Sequence, residues 1–308
     1  QANGLEWMQG YLDAEFNAGK YYTGQDIKTW MGYLTEYRKN RSQFQTTENG
    51  IYTEPDTGME YYLKENDAYA LMLDKFGFLQ AHNISVSGGT EKLAYRMSLG
   101  YNNEQGILIT DKDRYKRLSG NAYISAEITP WLSQSIDIRY AQSEKNMPVI
   151  SDKTHLYDLR LPTIYPEGSL TLSDGRSLLT NTPSNMLRIA TDDNTIRDNA
   201  RILSRTVLKP LKGLEIAFEY TFNKSLANQR KNKAVIDYTT VQLAVQQTAP
   251  TSSLESKNET TDYNAFNLYG TYHHLWNDSH NFTAMAGFNQ ESSNYRNLYA
   301  YSYDMIND

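Results

Sequence analysis

The residue types best suited to binding chemistry lie together in one segment, SDKTHLYDLRLPTIYP, at residues 151–166. It brings an imidazole, two phenols, a carboxylate and a guanidinium into a short stretch: His155, Tyr157, Asp158, Arg160 and Tyr165. Aromatic faces stack on sugar rings or peptide groups, and charged side chains add directional hydrogen bonds. We therefore predict that these residues bind substrate. The alternative, that they only fold a long loop on itself, stays open.

Other residue types that could support catalysis or metal binding have the wrong spacing. Gly88-Gly89 in SVSGG lacks the Gly-x-Ser-x-Gly pattern of a nucleophile elbow. His273 and His274 are neighbours on a predicted strand, so they point to opposite faces and cannot share a metal ion. The run DDNTIRD, Asp192–Asp198, resembles a calcium loop but lacks the glycine at its sixth position. We predict no enzymatic activity, no metal site and no cofactor.

Composition excludes several classes of protein. The 308 residues carry a net charge of −6 with scattered basic residues, which argues against a nucleic-acid partner. There is no cysteine, and no apolar run is long enough for a transmembrane helix. Only 39% of the residues are hydrophobic, yet 25 are tyrosine. Tyrosine-rich, half-apolar chains fit either a membrane-facing β-wall or a soluble, glycan-binding β-sandwich.

From Asn83 onward the chain reads as a series of β-strands. In LAYRMSLGY, Leu93, Met97 and Tyr101 fall on one face, and Arg96 and Ser98 fall on the other. Similar alternation predicts about eight strands, which start near these positions: 83, 93, 115, 132, 199, 214, 263 and 281. This weak but repeated signal is typical of a transmembrane β-barrel.

The lengths of the connections alternate along this series. GGTEK, TPW, KPLKG and WNDSH are short, whereas the connections after Tyr101, Tyr140 and Phe222 are longer. An antiparallel meander with short turns at one rim and long loops at the other is the construction of an outer-membrane barrel, with its long loops outside the cell. A soluble sandwich has no reason to separate its loops in this way.

The face opposite the large apolar residues carries charge. Charged groups that face lipid are costly, so in a barrel these side chains are predicted to line a wet or plugged lumen. The set comprises Arg96, Tyr123, Asp137, Arg139 and Glu219. In a soluble sheet the same residues would form the solvated face, and periodicity alone does not separate the two.

The sequence divides into two regions. Residues 1–80 are predicted to be a helical and loop lead-in on the extracellular side, with helices at 5–16, 27–37 and 67–76. Thr23 or Gln25-Asp26 would cap the second helix. Residues 81–308 are predicted to be barrel wall, with long extracellular loops at 144–198 and 226–261. Both ends of the sequence fall in mid-pattern, so we expect a fragment of a longer polypeptide.

One segment, HNISVSGGTEKLAYRMSLGYNNEQGILITDKDRYKRLSGNAYISAEITPWLS, resembles a signature of the SusC/RagA family. These proteins are TonB-dependent outer-membrane transporters of Bacteroidetes. The matching positions are Ser85–Gly89, Thr90–Lys92, Tyr95–Tyr101, Gln105-Gly106 and Tyr115–Arg117. DAEFNAGKYYTGQDIKTW, LKPLKGLEIAFEYTF and FNLYGTYHHLWNDSHNFTAMAGFNQE are similar to later parts of the family pattern in the same order, so the resemblance covers about Leu5 to Tyr299.

The resemblance implies a function and a set of partners. A 22-stranded, plugged barrel would import oligosaccharides or oligopeptides, with a SusD-like surface lipoprotein over its mouth. TonB–ExbB–ExbD would supply energy through a plug that this sequence does not contain. Its remaining partners would be outer-membrane lipid, the rest of its own barrel and the substrate. Eight strands cannot close such a barrel, and an open edge cannot sit in lipid.

Two other functions stay open from the sequence alone. A soluble, tyrosine-rich β-sandwich would bind glycans and would fold without detergent. A barrel-type outer-membrane enzyme would need His, Asp or Ser side chains clustered at one rim, and the histidines here are dispersed.

Overall fold

The computed structural model describes residues 3–18, 27–149, 164, 166–240, 243–277 and 279–304. Its helices are α1 (Gly4–Ala18), α2 (Ile27–Lys39), a 3-10 turn (Arg41–Gln43), α3 (Ala68–Met72) and α4 (Pro183–Ile189). Its strands are β1 (Ile51–Thr53), β2 (Glu60–Tyr62), β3 (Phe78–Gly89), β4 (Leu93–Gln105), β5 (Arg114–Thr129), β6 (Leu132–Val149), β7 (Ser169–Thr171), β8 (Ser177–Leu179), β9 (Thr191–Leu211), β10 (Leu214–Lys233), β11 (Asp237–Thr239), β12 (Val245–Gln247), β13 (Ser253–Trp276) and β14 (His280–Tyr303).

One antiparallel sheet dominates the molecule and confirms the predicted fold class. Its eight strands lie in the order β3-β4-β5-β6-β9-β10-β13-β14, so each strand pairs with the next long strand along the chain. In the part of the chain that the structure describes, the three further sheets have two strands each. Among the described residues no second large sheet packs on this one, so the β-sandwich alternative is wrong.

The connections of this sheet differ between its two rims. At the turn rim, β3–β4, β5–β6, β9–β10 and β13–β14 are joined by the short segments 90–92, 130–131, 212–213 and 277–279. Gly213 takes φ +87°, a left-handed conformation that suits glycine in so tight a turn. At the loop rim the connections are the longer segments 106–113, 150–190 and 234–252.

The long strands continue past their predicted ends. β6 runs to Val149, β9 begins at Thr191, β10 runs to Lys233 and β13 begins at Ser253. The loops predicted at 144–198 and 226–261 are therefore shorter in the structure. Polar residues occupy both faces of these extensions, as in KSLANQRKNK, which hides the period of 2 although backbone pairing continues. Asp192–Asp198 lies within β9 and forms no calcium loop.

The lead-in packs around its own small core. Met8, Leu34 and Leu63 are at most 1% exposed. Ile27, Tyr61, Tyr62 and Ile164 complete the buried cluster. The predicted third helix is shorter than expected: Asp67 caps it by accepting hydrogen bonds from the N–H groups of Tyr69 and Ala70. The caps predicted at Thr23 or Gln25-Asp26 lie outside the described residues.

Ile164 belongs to the β6–β9 connection, so the lead-in core contains a residue from a loop far along the chain. Asn49 also donates a side-chain hydrogen bond to the carbonyl of Ser169. The β10–β13 connection joins the same body, because Asn181 N–H donates to the carbonyl of Thr239 at 3.1 Å and Arg176 pairs with Asp237 at 3.6 Å. We call these joined segments, the described residues within 3–73, 164–190 and 234–252, the rim cap. It sits at the loop rim of the sheet.

Candidate functional site

The pairing register assigns each strand residue to one of two faces, because residues directly opposite each other in a sheet share a face. Arg96 lies opposite Tyr123, and Tyr123 lies opposite Asp137. Arg139 is two residues from Asp137, and Glu219 joins the set through Arg205 and Ser135. All five side chains predicted to line a lumen thus share one face, which we call the polar face. The other is the apolar face.

The predicted substrate-binding residues, His155, Tyr157, Asp158, Arg160 and Tyr165, lie outside the described residues. His273 and His274 are neighbours on β13 and point to opposite faces. Among the described residues, no three His, Cys, Asp or Glu side chains come together to form a metal-ion site. The polar face is therefore the main candidate surface for ligand chemistry.

Two of the ion-pair clusters on the polar face involve the residues predicted to line a lumen. Arg139 donates from Nε and Nη2 to the two carboxylate oxygens of Asp137, at 2.7 and 3.0 Å. Asp137 is only 14% exposed at its side chain, so this two-pronged contact satisfies a largely buried carboxylate.

The second cluster joins β9, β10 and β13. Arg205 Nε lies 3.3 Å from a carboxylate oxygen of Glu219, and the Tyr269 hydroxyl donates to the same carboxylate at 3.2 Å. Asn267 also donates to Glu219, at 3.4 Å. Glu219 is thus held by three neighbours, which leaves it little capacity to bind an added cation.

Arg201 differs from these paired arginines. It lies directly opposite Arg139 on β6 and opposite Asn223 on β10. In the described part of the chain no carboxylate lies within ion-pair distance of it, whereas Arg139 and Arg205 each have one. Its Nε is buried without a hydrogen-bond partner, as is the Nε of Arg205. The side-chain oxygens of Asn121 and Asn223, in the same cross-strand row, are also buried and unpaired. Buried polar groups normally have hydrogen-bond partners, so the unpaired atoms of this row require a partner that the described residues do not supply.

Arg201 and Arg205 were missed in the sequence, although a signal was present. Arg197, Arg201 and Arg205 recur every fourth residue, a spacing that places all three on one face of a strand. The sequence predicted a strand from about residue 199, but the mixed residues around these arginines, Thr195–Ser204, did not show which face of that strand they share.

The apolar face is large and exposed. Ile84 is 71% exposed, Leu99 61% and Phe288 56%. Soluble proteins rarely expose so continuous an apolar surface. The surface therefore requires an apolar environment.

On the seven strands β4–β6, β9, β10, β13 and β14 the apolar band on this face ends at a definite residue. Toward the loop rim polar residues predominate, and single apolar residues such as Ile196, Leu226 and Leu298 are interspersed among them. The residues at which the band ends are Tyr101, Leu118, Tyr140, Ala200, Phe222, Phe266 and Phe288, on β4, β5, β6, β9, β10, β13 and β14 in turn. Most are aromatic, and at the turn rim Trp131 and Trp276 are 52% and 49% exposed. Aromatic residues at both limits of an apolar band are typical of membrane interfaces.

This boundary crosses the register obliquely. Phe288 on β14 belongs to a cross-strand row that runs through Leu268, Phe218, Thr206, Gln134 and Ala126 to Leu93 on β4. On β4, however, the band continues to Tyr101, eight residues further along. That offset is about 26 Å along the strand, over a sheet width of about 29 Å between β4 and β14.

The strands are consequently inclined by about 40° to the normal of the band, within the ~35–45° tilt of transmembrane barrel strands. On β13 the band runs from Phe266 to Trp276, about 33 Å along the strand and about 25 Å in height after the tilt. This height equals that of the apolar band of outer-membrane barrels.

The sequence matches no protein-family model and no curated protein. The fold, in contrast, is similar to solved structures. The structure of the RagAB peptide transporter superposes with a TM-score of 0.71 at 14% identity, covering 100% of this chain and 34% of that one. The RagAB peptide importer gives 0.70 at 15% identity in its "closed-closed" state, covering 100% and 34% of the chains. Its "open-open" state gives 0.69 at 14%, covering 98% and 33%.

At this level of identity the similarity shows the fold. The chain has the fold of part of a transporter chain, and it spans about a third of the length of the structures it matches. No helix in the described residues is long and apolar enough to cross a membrane.

Proposed function

We propose that this chain is part of the wall of a TonB-dependent outer-membrane transporter of the SusC/RagA type, which imports oligopeptides. The apolar face would contact lipid, and the polar face would line the lumen. The observation that carries the proposal is the oblique apolar band, about 25 Å high and inclined at about 40° to the strands, because a soluble sheet has no need of either property.

Two observations support transport and the peptide class. The segment in β3–β5 resembles a signature of TonB-dependent transporters, and the similar structures carry the name of a peptide transporter. Oligosaccharides remain the second substrate class that the sequence resemblance allows. Peptides take precedence because the fold is similar to structures named for them.

The proposal includes the partners of such a transporter. A SusD-like lipoprotein would close the mouth on the side of the rim cap, which is the extracellular side in this arrangement. A plug and further strands would come from the rest of the polypeptide, and TonB–ExbB–ExbD would act on the plug. The rim cap would then offer the lipoprotein a packed surface, since its three segments support each other.

The oblique band permits a test with an internal control. Leu99 and Asn294 belong to the same cross-strand row, but Leu99 lies inside the band and Asn294 lies beyond its boundary on β14. In the complete protein, Leu99→Arg should destabilise the membrane-folded state by about 2–4 kcal/mol, and Asn294→Arg by about 0–1 kcal/mol. Folding into lipid vesicles at graded urea concentrations measures both.

Uptake tests the function of the assembled protein. Cells that lack the complete protein should lose energy-dependent uptake of an oligopeptide mixture, and the wild-type and Asn294→Arg genes should restore it. Equal costs for the two arginine substitutions would contradict the membrane-facing band. Unchanged peptide uptake without the protein would contradict the proposed substrate class.

A further inference from the structure

The unpaired charge of Arg201 calls for an explanation. Four consecutive strands contribute one row of polar side chains, Asn121, Arg139, Arg201 and Asn223. Two guanidinium groups stand directly opposite each other in it, and like charges so placed destabilise a sheet. Asp137 neutralises Arg139, but no described carboxylate neutralises Arg201.

An anion would satisfy the unpaired groups of Arg201 and Asn223 in this row. Arg201 Nε needs an acceptor, and the guanidinium presents a planar fork that fits a carboxylate. The amide nitrogen and oxygen of Asn121 and Asn223 can exchange places by a side-chain flip, which would turn an unpaired acceptor into a donor. A carboxylate at Arg201 would therefore receive hydrogen bonds from Arg201 and from the flipped Asn223.

Two further arginine side chains lie between Arg201 and the loop rim. Arg197 lies four residues from Arg201 on the same face of β9. Arg117 lies in the same cross-strand row as Arg197, separated from it by Ser143. Among the described residues neither has an ion-pair partner within 4.0 Å, in contrast to Arg205 and Arg139. Arg197 interacts electrostatically with Glu259 at longer range. A line of positive charge without close ion pairs attracts and guides an anionic ligand from the rim inward.

We propose that Arg201, supported by Arg139 and Asn223, binds a carboxylate of the transported peptide. This inference rests on the proposed function and makes it more specific: the lumen would select peptides by a free carboxylate, at the C-terminus or on a side chain. A carboxylate from another segment of the same polypeptide is the competing occupant.

The test compares acidic and neutral forms of the same peptides. The complete transporter, purified in detergent, is mixed with a tryptic peptide pool in which half of the material has every carboxyl group converted to an isotope-labelled methylamide. Mass spectrometry of the retained peptides gives an acid-to-amide ratio. Wild type should retain the acid form in excess, and Arg201→Gln should reduce that excess by about tenfold, the effect of losing one charge-assisted contact.

Two further variants keep the result interpretable. Arg201→Lys keeps the charge without the fork and should preserve part of the preference, which also covers the case in which Arg201→Gln does not fold. Arg230→Gln removes an arginine from the neighbouring strand β10, on the opposite face, and should leave the ratio unchanged.

The outcomes separate the two proposals. Equal retention of both forms by wild type overturns the carboxylate site and leaves peptide import intact. An equal loss of both forms in Arg201→Gln means that Arg201 binds another segment of the polypeptide, which also overturns it. Retention of neither form by wild type contradicts the peptide-import proposal itself, and the carboxylate site with it.

Discussion

Glu65 holds together separate parts of the lead-in through one carboxylate. It accepts hydrogen bonds from Nε and Nη2 of Arg38 in α2, at 2.9 and 2.6 Å, and from the N–H of Gly4 at the start of α1, at 2.7 Å. Burial raises the pKa of Glu65, but the Arg38 and Gly4 hydrogen bonds lower it by more, so the net pKa lies below its ordinary value. The carboxylate therefore stabilises the lead-in in its charged form.

This pKa shift gives a pH dependence with a definite sign. Because the folded pKa of Glu65 lies below the unfolded value of about 4.3, its contribution is complete above that pH and is lost as the pH falls through the folded pKa. Glu65→Gln should weaken the amide-exchange protection of α1 by about 1 kcal/mol at pH 7, a value limited by partial exposure of the pair. Hydrogen exchange of the complete protein, corrected for intrinsic rates, measures this.

Glu36 supplies the matched control. It pairs with Lys39 at 2.7 Å, but both side chains are more than half exposed, at 55% and 65%. Glu36→Gln should leave the exchange of α1 unchanged. If Glu65→Gln and Glu36→Gln behave alike, the Glu65 carboxylate does not hold the lead-in together.

At the residue scale the sequence predicted which face of the sheet a side chain lies on, but it did not predict which side chains lie opposite each other on neighbouring strands. Alternation alone placed Arg96, Tyr123, Asp137, Arg139 and Glu219 on one face, because a strand imposes that order within a few residues. It could not show that Arg201 stands opposite Arg139, because cross-strand register depends on which residues the turns and loops bring together.

The hairpin β1–β2 was not predicted from the sequence at all. Each strand has three residues, too few for a period to emerge, and the surrounding residues are polar turn formers. Gly50 and Gly58 take φ of +87° and +71°, and these turns bring Tyr61 and Tyr62 into the lead-in core. The burial of these tyrosines is a tertiary effect, which a local pattern does not contain.

Ile164 offers a test of how strongly the β6–β9 connection attaches to the lead-in. It is 1% exposed within the lead-in core, and its Cγ2 atom lies where a Cβ on Gly4 would clash. Ile164→Ala should remove buried methyl groups and destabilise this body by about 2–4 kcal/mol. Faster amide exchange in α1 and α2 of the complete protein would report the loss.

Phe16 is the comparison for that substitution. It lies on α1 of the same body but is 81% exposed, so Phe16→Ala should change exchange by no more than about 0.5 kcal/mol. Similar effects of the two substitutions would mean that Ile164 does not anchor the loop.

The dominant feature of the whole molecule is its large sheet, which is open and has two free edges. In the described residues, nothing pairs with the outer edge of β3 or of β14, and every residue of these two strands is exposed. Open edges with unpaired N–H and C=O groups are not stable in lipid, and in water they promote aggregation. The sheet therefore needs further strands to complete it.

Residues 1–308 expressed alone should not remain a soluble monomer. Without detergent we expect aggregation, because both the free edges and the apolar face are uncovered; with detergent we expect dispersed β-structure. Light scattering after gel filtration, together with circular dichroism, measures both. A monodisperse monomer that unfolds cooperatively in plain buffer would contradict the membrane assignment.

At the scale of the molecule the sequence predicted the meander well, because alternation and the lengths of connections are local properties. The rim cap, in contrast, could not be predicted from the sequence. Its contacts, such as Asn49 with Ser169 and Asn181 with Thr239, join segments that are far apart in the chain and carry no shared period.

The construction of the rim cap has a consequence for engineering. A designer who wished to change the specificity of this protein would naturally exchange one surface loop for that of another protein. Here Ile164 completes the core of the lead-in, and Arg176 and Asn181 in the same connection hold residues 237–239, so a graft of that loop alone would leave both without a fitting counterpart. The smallest exchangeable unit is the set of three segments together, and natural sequence changes in one of them should be matched in the others.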